Sequence, residues 1–472
     1  MSETKTEGSQ PELKRVLGSK LLLLFIVGDI LGTGIYALTG QVAGEVGGAA
    51  WVPFIVAFAV ATLTALSYLE LVTKYPQAAG AALYVHKAFG VHFLTFIVLF
   101  TVMCSGITSA STASRAFASN MKTAFTGNEP DASDPALLFI AVAFLLLVMF
   151  INFRGVAEGV GTNVVLTLVE LSGLLMVIFI GFYAIAGGKA DWSAVVAFDT
   201  PGDKNVFLAV TAATSLAFFA MVGFEDSVNM AEETKDPSRI FPKMMLTGLG
   251  LTAVIYVLVS ICAVAIVPVG ELAESSVPLV KVVETAAPDF PIGKLLPIIS
   301  MFAVANSALI NMMMASRLLY GMSRQGVLPK FLSIVHDGRR TPWAAIIFTT
   351  VIAIGLVTFV SSDPEGEVVA LLGGTTSLLL LTVFTVVNIS VLVLRKDRVD
   401  HPHFKTRTGI AVAGAIACAY LVLPFAGRDS GEYKIAGWLL VIGVIMWIIT
   451  HFTNKRGSGG TPATIDPSKI ET

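Results

Sequence analysis

The sequence predicts an all-α membrane protein of twelve transmembrane helices, and three observations predict it. Of 472 residues, 55% are apolar and only 14% charged, whereas a soluble domain needs roughly a quarter charged residues to cover its surface. Apolar runs of about 18 residues or more recur along the chain, the length a ~30 Å hydrocarbon core requires. Two of those runs, the first and the sixth, are interrupted by glycines, and the sixth also by acids, at mid-membrane depth.

The remaining composition excludes other classes. The net charge of −2 gives no basic field for nucleic acid. Cys104, Cys262 and Cys418 lie far apart in apolar runs, which fits neither a disulfide framework nor a zinc site. His401 and His403 flank Pro402 in a basic loop and read as solvated. No Walker-type phosphate loop, no ring of like charge and no nucleophile–base cluster stands in the spans, which argues against an ATP-driven pump, a passive pore and an intramembrane enzyme. A cofactor is not expected. A receptor that keeps the fold without transporting remains a rival reading.

Met1–Pro11 is polar with no apolar core, so it does not read as a signal peptide. The expected spans are 19–43, 51–73, 91–118, 136–152, 160–186, 206–230, 245–267, 292–318, 342–361, 367–394, 408–426 and 433–453. Span one carries Gly28–Asp29–Ile30–Leu31–Gly32–Thr33–Gly34–Ile35–Tyr36. Gly32 lies about 18 Å beyond Lys20 at 1.5 Å per residue, near the midplane. Two glycines weaken a helix, and backbone freed in a membrane is tolerated only where protein or a wet cavity receives it. Span three, with Ser105, Ser109, Ser111, Thr112 and Ser114, suits close helix packing. Span four is short, and a tight turn is expected at 152–155. Span five carries Glu170. Span six enters at Asn205 and reads Phe218–Phe219–Ala220–Met221–Val222–Gly223–Phe224–Glu225–Asp226. Two acids there argue against a continuous lipid-facing helix, since each costs about 2.5 kcal/mol or more. Span eight carries Asn306, Ser307 and Asn311.

Most of the 31 Lys and Arg residues fall on one face if the N-terminus is cytoplasmic, among them Lys14, Arg15, Arg154, Arg317, Arg324 and Arg395. This predicts a plasma-membrane protein with both termini inside. The expected organisation is a polar, disordered tail over 1–13, a ten-helix core over 14–395, helices 11 and 12 over 396–453, and a second disordered tail over 454–472.

Matching breaks in spans one and six are what inverted repeats of spans 1–5 and 6–10 produce, and such pairs point to a transporter's substrate site. The helix restarting after the break offers N–H groups and a positive dipole end to a carboxylate, and the helix ending before it offers carbonyls to an ammonium. The competing reading is a glycine-mediated helix crossing.

Five segments in order carry a family likeness: Gly32–Thr33–Gly34–Ile35; Tyr68–Leu69–Glu70–Leu71 with Pro76, Gly80 and Tyr84; Phe218 to Glu225; Ala231–Glu232–Glu233–Thr234–Lys235–Asp236–Pro237 with Ile240–Phe241–Pro242; and Ser316 to Arg324 with Leu328–Pro329 and Thr341–Pro342. Over residues 14–395 the chain resembles the amino acid–polyamine–organocation (APC) superfamily of transporters. The resemblance implies a 5+5 inverted repeat with discontinuous helices 1 and 6, two extra C-terminal helices, and secondary active transport by alternating access. It implies an amino acid or amine substrate held by Ile30, Gly32, Thr33, Gly34 and Ile35 from the first break and by Phe218, Phe219, Ala220, Met221 and Gly223 from the sixth. Phe219 would be an aromatic lid. Glu232 and Arg317 would belong to an inward gate, against the plainer reading of solvated surface pairs. The partners implied are that substrate, a coupling ion and the lipid bilayer, with a homodimer left open.

Two departures from the family pattern bear on coupling. Glu170 stands seven residues after Asn163, where relatives often carry lysine, and Asp29 stands where a small apolar residue is common. Two carboxylates in one crevice resist double ionisation, so one would exchange a proton near neutral pH. Glu170 with Asp29 is the expected coupling site, for a proton in preference to sodium. The alternatives are a sodium-coupled or exchange-type carrier of a polyamine or other amine, and a static hydrogen bond at Glu170.

Overall fold

The computed structural model describes residues 17–76, 80–131, 133–154, 160–200, 204–231, 234–288, 294–336, 338–339, 341–362 and 368–457. Among the described residues the chain is helical throughout; its one β-bridge joins Leu17 to Thr234. Among the described residues ten helices are long and apolar enough to cross a membrane, or eleven spans with the bent pair below, so this is a multi-pass membrane protein.

Span one is the bent pair α1 (Ser19–Ile30) and α2 (Thr33–Val46), which turn by 41° at the break. Next come α3 (Trp51–Lys74), the short α4 (Gly80–Phe89), α5 (His92–Thr126), α6 (Pro135–Arg154) and α7 (Val160–Ala186). The turn expected from Asn152 is not there: α6 stays helical through Arg154, and Gly155 lies outside the described residues. Helix α5 also runs eight residues past its expected end, and the hydroxyls that continue it are satisfied by its own carbonyls, as Thr123 is by Ser119. It stops at Gly127, which takes the left-handed φ of 72°.

A single turn, α8 (Trp192–Val195), leads to α9 (Val206–Ala217), whose first turn is capped by the Asn205 side chain accepting from Leu208 N–H at 2.8 Å. Tighter turns over Phe218–Met221 and Asp226–Met230 complete span six. Helix α10 (Pro237–Ile266) begins with proline, whose missing N–H costs nothing there. Two short helices, α11 (Val269–Glu274) and α12 (Pro278–Ala286), lie beside α2, with α11 closing on Gly40. Then follow α13 (Leu295–Arg324), α14 (Trp343–Val360), α15 (Val368–Leu394), the shorter α16 (Thr408–Val422) and α17 (Ser430–Gly457).

Helix α1 packs on α7 and α10, α2 on α9, and α5 on α13 and α15. Span six is seated by an aromatic cluster: Phe384 of α15 meets Phe218, Phe224 and Tyr68 with ring centroids 6.0, 5.4 and 5.7 Å apart. Such edge contacts contribute about 0.5–1.5 kcal/mol each beyond area burial.

Candidate functional site: two interrupted spans in contact

Span one loses its helix where the sequence places the glycines. Leu31 and Gly32 leave helical geometry, the last α1 bond being Leu31 N–H to Val27 O at 2.8 Å. Helix α2 restarts at Thr33 with no side-chain cap and no acid in its first turn. Its N–H groups and dipole end are therefore open to an anion. The Thr33 hydroxyl, 2% exposed as a residue, has no hydrogen-bond partner.

Span six unwinds at the matching place. Val222 is extended and Gly223 takes φ 120°, a left-handed value that side chains other than glycine's strain to adopt. Glu225 closes this break: its Oε2 accepts from Gly223 N–H at 2.9 Å. The acid thus caps backbone freed by the break.

The two breaks touch. A Cβ on Gly223 would stand 2.6 Å from the Asp29 carbonyl oxygen, and one on Gly34 would stand 2.4 Å from the Ala220 Cα. The absent side chains are what let the backbones meet. Tyr256 of α10 donates to the Ile30 carbonyl at 2.6 Å, so one carbonyl freed by the break already has a donor. Ser307 of α13 sits against Gly32, where a Cβ would lie 2.4 Å from its Oγ.

Ile30, Thr33, Gly34, Ile35, Phe218, Phe219, Ala220, Met221 and Gly223 are brought together here, all buried. The Phe218 ring packs into the aromatic cluster on Phe384. Phe219 is 5% exposed and lies against Gly373 of α15, so it does not face lipid.

Glu170 of α7 is fully buried. Its Oε1 accepts from Asn306 Nδ2 at 3.3 Å, and its Oε2 has no partner. Tyr36 of α2 donates to the Glu170 carbonyl at 2.7 Å, which ties α7 to the restarted helix. Glu170, Glu225 and Asp226 each lie within electrostatic reach of Asp29. None of the four has a cation within 4.0 Å among the described residues. Buried carboxylates without a cation are chemically suited to take up a proton, whereas among the described residues no three of them stand close enough together to hold a metal ion.

Of the expected gate residues, Arg317 and Phe219 lie within the described residues and Glu232 does not. Arg317 is exposed near the end of α13, and Glu232 and Glu233 lie outside the described residues. Glu70 instead pairs with Arg395, through Nε at 3.2 Å and Nη2 at 3.0 Å. The Thr406 N–H donates to the same carboxylate at 2.9 Å. Lys74 donates to the Leu394 carbonyl at 2.6 Å, and Tyr75 donates to the Asp397 carboxylate. Burial first, and then that carboxylate, push the Tyr75 phenol up, so it remains a donor at physiological pH.

Sequence reasoning missed Tyr256 and Arg395. Tyr256 had a signal: a phenol deep in an apolar span must find a partner.

The amino acid permease family matches residues 17–450. The chain is 25% identical over 456 residues to the branched-chain amino acid permease BcaP of Bacillus subtilis (strain 168), covering 93% of this chain and 92% of that one. It is 27% identical over 412 residues to the methylthioribose transporter of the same organism, covering 84% of each. It is 28% identical over 347 residues to the chloroplastic cationic amino acid transporter 9 of Arabidopsis thaliana, covering 70% of this chain and 58% of that one. The chain belongs to the amino acid permease family, and it is a membrane transport protein rather than an enzyme.

Proposed function

We propose that this protein carries an amino acid across the plasma membrane by alternating access, with proton entry at Glu170 driving accumulation. The arrangement has twelve spans, counting α1 with α2 as one and the shorter α16 as another. Spans 1–5 and 6–10 form the inverted repeat, both termini are cytoplasmic, and α16 and α17 are additions to it. One observation supports the reading: both spans lose their helix and meet there, through Gly34 on Ala220 and Gly223 on Asp29.

The chemistry follows from the two free ends. The uncapped start of α2 takes the substrate carboxylate on its N–H groups, with the unpartnered Thr33 hydroxyl beside them. The carbonyl ends of α1 and of Phe218–Met221 take the ammonium, with Phe219 as the lid. A zwitterion thereby supplies to each half-helix the partner that lipid cannot. The names of the relatives support an amino acid as the class, and among them BcaP matches over nearly its whole length.

Coupling rests on Glu170, whose second oxygen lacks a donor while Asn306 holds the first. An unneutralised carboxylate in the membrane is costly, and neutralising it by a proton favours movement of the site. Asp29 shares the crevice. The inward latch is proposed to include Glu232 and Arg317.

The test is uptake and counterflow in proteoliposomes, with the twenty amino acids as competitors. Acidifying the outside is expected to raise accumulation in the wild type. Glu170→Gln is expected to keep counterflow and to lose the response to the pH gradient. Full gradient-driven accumulation by Glu170→Gln would remove the coupling role. Absence of counterflow for every amino acid would remove the substrate class.

A further inference from the structure

A buried arginine that the chemistry above does not use bonds, through α15, to the first half of span six. Arg428 stands between α16 and α17, and its side chain has no exposure to solvent. Its guanidinium pairs with Glu432 of α17 and donates to the Leu421 carbonyl at the end of α16. It also reaches α15, donating through Nη1 to the Gly374 carbonyl at 3.0 Å and through Nη2 to the Ser377 hydroxyl at 2.7 Å. Glu432 fits because Gly374 has no side chain: a Cβ there would stand 2.0 Å from its Oε1.

A guanidinium has donors only. The Ser377 hydroxyl must therefore accept from it, which leaves its own proton for the Ser215 carbonyl in the last turn of α9, at 2.5 Å. One turn back along α9, Thr211 donates to the Ala426 carbonyl at 3.2 Å, two residues before Arg428. Gly373, the neighbour of Gly374, is the residue against which Phe219 lies. Residues 373–377 of α15 thus meet the arginine, the last turn of α9 and the lid.

A buried ion pair often stabilises no more than apolar residues of the same volume, since each charge loses its hydration. What apolar residues cannot replace is the set of directed bonds. We propose that Arg428 is a positioning residue for transport: with Glu432, and through Ser377, it clasps the first half of span six to α15 and holds the Phe219 lid shut toward the side on which α9 begins. Releasing the clasp opens the substrate site to that side. Helices α16 and α17, which lie beyond the inverted repeat, thereby set the balance between the two access states. The clasp presupposes the alternating access proposed above, whereas its test requires neither substrate nor gradient.

Leu38 of α2 is 1% exposed and, like Phe219, lies against Gly373. With the three native cysteines buried, the thiol of Leu38→Cys reports opening. The side is marked by Ser193→Cys, exposed on α8; the neighbouring Ala194 carbonyl lies against Gly48, just past the end of α2, and the Asp199 N–H donates to the Val46 carbonyl at 3.3 Å shortly before α9 begins. The full-length protein in right-side-out and inside-out membrane vesicles is treated with a membrane-impermeant maleimide. Ser377→Ala is expected to speed labelling of the Leu38→Cys thiol about fivefold, the worth of one hydrogen bond, from the marked side only. Arg428→Met with Glu432→Met strands no charge and is expected to do at least as much. Thr349→Ala is the control: it also removes a buried hydroxyl, but one bonded only to carbonyls of its own helix, and it is expected to lower the thermal midpoint and leave labelling unchanged. Two clasp variants are used so that one that fails to fold leaves the other to decide. Unchanged labelling in a folded clasp variant, an equal rise from both sides, or an equal rise in Thr349→Ala overturns the clasp. Absence of counterflow for every amino acid would remove the substrate class, and the labelling would still read the clasp.

Discussion

At the scale of single residues, the contact between the interrupted spans depends on atoms that are not there. Gly223 combines a φ of 120° with a Cβ position 2.6 Å from the Asp29 oxygen. Gly223→Ala must both adopt a strained backbone and push span one away, at a cost of about 1–3 kcal/mol for the overpacking alone. Transport is expected to fall by about an order of magnitude or more, with a lower midpoint in a thermal unfolding assay. Gly437→Ala, where no atom lies within 4 Å, is the matched control and is expected to change neither. Tyr256 acts in the opposite sense, by supplying an atom. Tyr256→Phe removes the donor to the Ile30 carbonyl and keeps the ring that packs edge-on against Phe54. A net loss of about 1 kcal/mol is expected. The bare carbonyl is then free for the substrate ammonium, so substrate affinity should rise or hold while stability falls; a matched loss of both would deny the carbonyl any part in binding.

At the scale of elements, the chain shows which features a sequence can reveal. The breaks at Gly32–Gly34 and Gly223 were legible because helix strength and membrane depth are local properties. So were the bounds of α7 and α15, bracketed by turn residues and basic ends. The partner of Glu70 was not legible, since it depends on which helices become neighbours. Arg395 stands 325 residues away and offers its planar fork to both carboxylate oxygens. The Glu70 side chain is 4% exposed and that of Arg395 17%, so this pair is nearer to a buried ion pair than to a surface one. Removing one partner of a buried pair costs roughly 3–5 kcal/mol, because the other charge is left alone. Glu70→Gln should therefore lower the thermal midpoint more than the double change Glu70→Gln with Arg395→Met, which removes both charges. An additive effect in that double-mutant cycle would show the pair to be uncoupled. The same pair, with Thr406 and the Lys74 bonds to Leu394 and Asp397, staples the segment after α15 onto the end of α3. These two helices are thus tied at one end.

For the whole molecule, the tie matters because alternating access needs a part that moves and a part that does not. Helix α1 packs on α7 and α10, and helix α5 on α13 and α15, so the broken spans are bordered by two differently connected groups. The side of the membrane on which the α3–α15 staple lies decides which opening it resists. In the orientation proposed above, which follows the positive-inside rule, the staple is cytoplasmic, beside positive residues such as Lys396 and Arg398. That orientation can be read directly, because Cys104, Cys262 and Cys418 are all buried and leave a quiet background for thiol labelling. Arg398 and Ser193 are both exposed, beyond α15 and at α8 respectively. In intact cells a membrane-impermeant maleimide should label Ser193→Cys and spare Arg398→Cys, and permeabilised cells should label both. Labelling of Arg398→Cys from outside would invert the protein in the membrane. The staple would then close the extracellular side, and the proton reaching Glu170 would have to come from the opposite compartment.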